Sequence, residues 1–179
     1  NGCTASNDVI VNTNAVLPTT LAGNDGLLNC TSPSAILDGS ASNSGANFQI
    51  VWTGPGINAG NQGILTPTVT DSGTYILQIT NLGNSCVTRD TVYVDENTEI
   101  PAADAGQSLI LDCLTTDVTL DGSLSGVSPT IVYDWTGLGI NAGNQNDQSP
   151  VVTQPDTYTL LVTDNDNGCT NTAQVVVTQ

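Results

Sequence analysis

Short runs of alternating apolar and polar residues recur along the chain, separated by clusters of Gly, Pro, Asn and Asp. Phe48, Ile50 and Trp52 fall on one face of an extended segment, and so do Ile131, Tyr133 and Trp135. Tyr75, Leu77 and Ile79 share a face, as do Tyr158, Leu160 and Val162; Val92 with Val94 and Val175 with Val177 do the same. A period of two marks a strand with one face buried. In the second half the pattern predicts strands near 108–113, 117–121, 130–136, 149–153, 157–163 and 170–177, with turn signals between them. The alternation makes Trp52, Trp135, Tyr75 and Tyr158 core positions, in preference to rings stacked on sugars. No stretch has the composition or period of a helix.

The pattern repeats with a period of 83 residues and no insertion. Cys3, Cys86 and Cys169 keep this spacing, as do Cys30 and Cys113, Trp52 and Trp135, and Tyr75 and Tyr158. LDGSAS at 37–42 returns as LDGSLS at 120–125, and WTGPGINAGNQ at 52–62 returns as WTGLGINAGNQ at 135–145. The ends also match, NGCTASNDVIVNT against NGCTNTAQVVVTQ. The expected organisation is therefore the last strand of a preceding module at 1–13, one module at 14–96 and a second at 97–179. On this reading the chain is a mature or partial segment of a longer protein that continues on the N-terminal side.

About seven short strands around one Trp in a unit of this length predict an all-β chain of tandem immunoglobulin-like sandwiches. Asp71-Ser72-Gly73-Thr74-Tyr75 has the form of a tyrosine corner, whereas Gln154-Pro155-Asp156-Thr157-Tyr158 keeps only the Tyr. An antibody-type domain carries Cys two residues after that Tyr; here those positions are Leu77 and Leu160. The cysteines therefore serve something other than an antibody-type bridge.

Composition narrows the chemistry. Arg89 is the only basic residue, there is no His, Met or Lys, and 17 acidic residues set the net charge at -16. Nothing here neutralises phosphates, so nucleic acid is excluded as a partner, and an anionic membrane surface repels the chain. No run approaches the roughly 18 apolar residues of a membrane span, and no signal peptide is visible. Without His there is no conventional Ser-His-Asp triad and no His-activated thiol, so no catalytic residue is assigned. Asp38 and Asp121 recur in the same LDGS turn, which makes them turn acceptors in preference to glycosidase acids.

The order Ala-Gly (105–106), Cys113, LDGSLS (120–125), YDW (133–135), TYTLLVTD (157–164), NGCT (167–170) and VVV (175–177) resembles the PKD-type Ig-like repeats of Bacteroidota surface proteins. The resemblance covers nearly the whole chain. It implies a place in a giant cell-surface adhesin of the gliding-motility kind, exported by type IX secretion, with an extracellular spacer or adhesive role. The partners it implies are neighbouring modules of the same chain, self-assembly into fibres, and a surface glycan or protein ligand reached through other parts of the protein. The competing reading is a carbohydrate-binding accessory module of a secreted hydrolase.

Cys3, Cys30, Cys86, Cys113 and Cys169 point to an oxidising compartment and to structural disulfides. Two pairings are open. One bridge per module joins Cys30 to Cys86 and Cys113 to Cys169, leaving Cys3 for an upstream partner. Its difficulty is topological, because the two cysteines of one module lie near opposite poles of the sandwich. The alternative joins Cys30 to Cys169 and links successive modules.

Acidic residues are unevenly spread: four in residues 1–83 and thirteen in 84–166. Asp95, Glu96, Glu99 and Asp104 lie in the linker, and Asp164 and Asp166 in the hairpin before the final strand. Six to eight hard oxygen ligands suit Ca²⁺, so these six are its candidate ligands; solvated acidic loops are the alternative. No other cofactor is expected.

Overall fold

The computed structural model describes residues 1–179 and contains strands but no helix. The first six strands are β1 (Gly26–Asn29), β2 (Ala35–Ile36), β3 (Phe48–Thr53), β4 (Thr68–Val69), β5 (Gly73–Asn81) and β6 (Val87–Asn97). Their counterparts are β7 (Leu109–Ile110), β8 (Val118–Thr119), β9 (Ile131–Thr136), β10 (Val151–Val152), β11 (Asp156–Asp164) and β12 (Thr170–Thr178). Each set forms a four-stranded sheet, β1-β6-β5-β3 or β7-β12-β11-β9, and a two-stranded sheet, β2-β4 or β8-β10. The long hairpin β11-β12 is antiparallel, from Asp156 opposite Val177 to Thr163 opposite Thr170, and β7 adds parallel to β12 through Leu109 and Ile110.

The chain divides into two units, Asn1–Gly26 with Ser34–Asp95, and Leu27–Pro33 with Glu96–Gln179. In the first, Leu37, Trp52, Tyr75, Leu77, Ile79, Val92 and Val94 are buried. In the second, their counterparts Leu120, Trp135, Tyr158, Leu160, Val162, Val175 and Val177 form one apolar cluster. β5 and β11 show why the sequence folds this way: Tyr, Leu and Ile or Val at every second position turn inward while their neighbours stay half-buried or, at Thr74 and Thr157, exposed. Residues 1–13 form no strand and are exposed throughout. β12 is held by eight residue pairs with β11, and residues 1–13 have no comparable partner, so their backbone stays solvated.

The repeated motifs are scaffold. In LDGSxS, the Asp38 and Asp121 carboxylates accept the amides of Ser40 and Ser123, each at 3.0 Å. A Cβ on Gly39 would press on the Leu65 carbonyl and the Trp52 ring, and one on Gly122 on the Gln148 carbonyl, so only glycine passes. The closing serine clamps the incoming chain. Ser42 Oγ accepts from Leu21 N and donates to Leu21 O; Ser125 does the same at Asp104. In the WTGxGINAGNQ loop, Trp52 N donates to Gln62 O and Trp135 N to Gln145 O, both at 2.8 Å. Asn58 and Asn141 fold the loop back by accepting the amides of Gly60 and Gly143.

Both tyrosine corners form. Tyr75 Oη donates to Asp71 O at 2.5 Å, and Tyr158 Oη lies 2.8 Å from both Gln154 O and Leu138 O. The corner survives the altered sequence of the second copy because its acceptors are backbone carbonyls, which any residue supplies. Each Trp carries an unpaired group: the indole Nε1 atoms of Trp52 and Trp135 are buried without a hydrogen-bond partner. Two buried N–H groups left unmade in the same place in both repeats are a cost the surrounding apolar contacts must exceed.

Candidate functional site

The cysteines are presented by loops. In the second unit, the Asn29 side chain accepts from Thr31 N, Thr31 Oγ1 and Ser32 N, closing a turn that offers Cys30. Facing it, the hairpin between β11 and β12 turns at Gly168 (φ +69°), and Asn167 Oδ1 accepts Cys169 N at 2.9 Å. Asn167 is itself buried, its amide donating to Asn97 Oδ1 and Glu99 O. Cys30 N donates to Asn167 O at 3.1 Å, and Cys30 and Cys169 form a disulfide with Cα atoms 5.0 Å apart. This bond and the hydrogen bond beside it place Leu27–Pro33 with the second unit.

Of the two pairings open from the sequence, the structure contains the one that joins positions of successive repeats. Cys3 and Cys113 are exposed free thiols, and Cys86 is a half-buried one, so the one-per-module bridges are absent. The strands show why. Cys169 precedes β12, while Ile110 of β7 pairs with Thr178 at the far end of that strand. Nine positions along a strand span about 30 Å at roughly 3.3 Å per residue, and Cys113 lies further on. A disulfide needs Cα atoms within about 7 Å.

The six candidate calcium ligands do not assemble. No group of three or more Asp, Glu, Cys or His side chains is placed to hold a metal ion. Asp95, in the first unit, is exposed. In the second, Glu96 Oε1 accepts from Thr98 Oγ1, and Glu99 is exposed. Asp104 Oδ1 accepts from Gly106 N, Asp164 Oδ1 from Asp166 N, and Asp166 Oδ2 from Asn97 Nδ2. Asp104 and Asp164 thus each accept a backbone amide two residues on, Glu96 accepts a nearby hydroxyl, and Asp166 accepts a side-chain amide from a distant part of the chain.

The second unit also holds an open groove of about 580 Å³ lined by Asp104, Gly106, Gln107, Leu109, Thr119, Asp121 and Leu124. Its two carboxylates are Asp104 and Asp121, and the second of them is not tuned as a general acid. The hydrogen bonds from Ser123 hold Asp121 below the ordinary carboxylate range, with burial opposing weakly; Ser40 does the same for Asp38. A general acid needs the opposite shift. Trp52 and Trp135, 0% and 1% exposed, cannot stack on a sugar without unfolding.

No family model matches the chain, and no curated protein does. Solved structures do match. A three-domain fragment of titin, I67–I69 carrying Glu-to-Ala substitutions, aligns over 91% of this chain and 66% of its own, with a TM-score of 0.52 and 15% identity. The eight N-terminal Ig domains of Down Syndrome Cell Adhesion Molecule align over 92% of this chain and 25% of their own, with a TM-score of 0.45 and 14% identity. The chain thus spans less than two thirds of either. With its helix-free sheets, the titin likeness shows the fold: an all-β chain of immunoglobulin-like sandwich modules.

Proposed function

We infer that the chain is a segment of an extracellular structural or adhesive array, the stalk or filament of a bacterial surface adhesin of the PKD-like, type IX-exported kind. The observation that carries this reading is the Cys30–Cys169 disulfide. It joins residues 139 positions apart that belong to successive repeats, so tension applied at the two ends of the chain bypasses the residues between them. A protein that only presents a binding face has no use for such a bypass, whereas one that bears load does. The bond also needs an oxidising compartment. The rest of the molecule supports it: the two Trp rings and two Tyr rings are spent on cores, and the repeated Gly and Asn residues on loops. Modules that each bury their own core add stability roughly in proportion to their number.

Antibody raised against the chain tests the location and role together. It is expected to label intact, unpermeabilised source cells along surface fibres. Labelling confined to permeabilised cells sinks the reading. Retention of the chain on insoluble polysaccharide, lost with substitutions in the 580 Å³ groove, replaces it with the carbohydrate-binding one.

A further inference from the structure

Cys113 is the period-equivalent of Cys30, and its loop is built the same way. The Asp112 carboxylate accepts Leu114 N and Thr115 N at 2.8 and 2.7 Å, as the Asn29 side chain accepts Thr31 N and Ser32 N. Asp112 N donates to Thr115 O, as Asn29 N does to Ser32 O. Yet Cys113 is free, and the residue after it, Leu114, is 95% exposed. At the equivalent position Thr31 lies against Gly168: a Cβ on that glycine would collide with Thr31 Cγ2. The bonded pair Cys30–Cys169 therefore shows what a loop of this kind receives, namely the Asn-Gly-Cys hairpin that opens a last strand.

We propose that the Cys113 loop is the docking and crosslinking site for a further copy of this repeat, and that it selects a copy whose last strand opens with Asn-Gly-Cys. The inference rests on reading the chain as part of a repeat array. Asn-Gly-Cys-Thr occurs at 1–4 and 167–170, but 84–86 reads Asn-Ser-Cys, with Ser85 held at φ 60°. Ser85 carries a Cβ at the position where, in Gly168, one would collide with Thr31 of the bonded loop, so the two hairpins are not equivalent as partners. Leu114 then covers the glycine of the incoming copy, which removes the most exposed large apolar side chain of the chain from water. The covalent step is balanced by a disulfide oxidant such as oxidised glutathione. The Cys113 thiol and the incoming thiol lose two protons and two electrons, one S–S bond forms, and the oxidant leaves as two thiols.

The test extends the full chain at Gln179 with a copy of residues 97–179, oxidises it with oxidised glutathione and maps peptides without reduction. The expected products are Cys30–Cys169 together with Cys113 bonded to the last-strand cysteine of the added copy. A free Cys113 thiol beside an intact Cys30–Cys169 bond overturns the proposal and leaves the structural-array reading standing; loss of both bonds overturns both. A second extension, with a copy of residues 14–96, is expected to leave Cys113 free until the serine equivalent to Ser85 is replaced by Gly. Equal bonding to both copies overturns the selection by glycine.

Discussion

Cys86 and Cys169 hold the same position, one residue before the last strand of their repeats, yet they differ in state. Cys169 is fully buried, bonded to Cys30 and preceded by Gly168; Cys86 is half-buried, free and preceded by Ser85. The sheets on which these hairpins are mounted do not differ in this way. β5 and β11 have the same order of buried and half-buried positions from end to end, and Trp52 and Trp135 sit at equivalent points in equivalent cores. The interior of the repeat is thus copied as a unit, because each core must be filled by its own module. The polar loops are free to differ, and they decide what a module is joined to.

Emptying the core is the strongest challenge to that equivalence. Trp135→Ala and Trp52→Ala are each expected to cost about 3–5 kcal/mol, the usual penalty for a buried aromatic site, measured by denaturant unfolding of the full chain. A loss below about 1 kcal/mol in one and not the other would mean that the two interiors are not equivalent.

The tyrosine corners sharpen the comparison at an intermediate level. Tyr158 Oη has two backbone acceptors, Gln154 O and Leu138 O, where Tyr75 Oη has one, Asp71 O. The single Tyr158 proton is shared between its two acceptors, so at roughly 0.5–1.5 kcal/mol net per hydrogen bond, Tyr75→Phe and Tyr158→Phe are each expected to cost about 1 kcal/mol, the second no less than the first. A loss at Tyr158 well below that at Tyr75 would show that sharing the proton weakens the corner.

The smallest effect separates the two cysteine loops by pH. Asp112 is held below the ordinary carboxylate range by the amides of Thr115 and Leu114, while its counterpart Asn29 does not titrate. A depressed folded-state pKa gives a stabilisation that is present above the unfolded value of about 3.9 and is lost as pH falls through the folded value. Acidification below about pH 4 is therefore expected to shift the NMR amide signals of Leu114 and Thr115 while leaving those of Thr31 and Ser32 in place. Asp112→Asn is expected to abolish the difference. Equal shifts in both loops would contradict the assignment of the carboxylate as the turn acceptor.

Most of the fold was legible because it is written in alternation and period. The long strands β3, β5, β9, β11 and β12 lie where every second residue is large and apolar, and the 83-residue period placed their copies. The expected strands at 108–113, 117–121 and 149–153 shrink to two residues each, since Asp112 N turns back to Thr115 O and the amides of Leu120 and Gly122 bond to Pro150 O and Gln148 O beyond the regular pairing. The second tyrosine corner was hidden because its acceptors are main-chain atoms with no sequence signature. The cysteine pairing stayed open for a different reason. Spacing gives the distance along the chain, whereas bonding follows from which loops face each other, and only the topology showed that about 30 Å of strand separates the cysteines within one repeat. The acidic residues differ again: their spacing gave no sign that Asp104 and Asp164 each accept an amide two residues on while Asp166 meets Asn97 from a distant part of the chain.

The direct measurement of the account is single-molecule extension of the oxidised chain, held by its two termini, before and after reductant is added. With Cys30–Cys169 intact, the residues between them are shielded from force, and only residues 1–29 and 170–179, β1 and β12 among them, are expected to contribute length. Reduction is expected to expose the 139-residue separation to force, so that the cores unfold in turn and add up to about 460–500 Å of contour at roughly 3.3–3.6 Å per residue. Release of that length in steps from the oxidised chain, with no further gain on reduction, would contradict the load-bearing role.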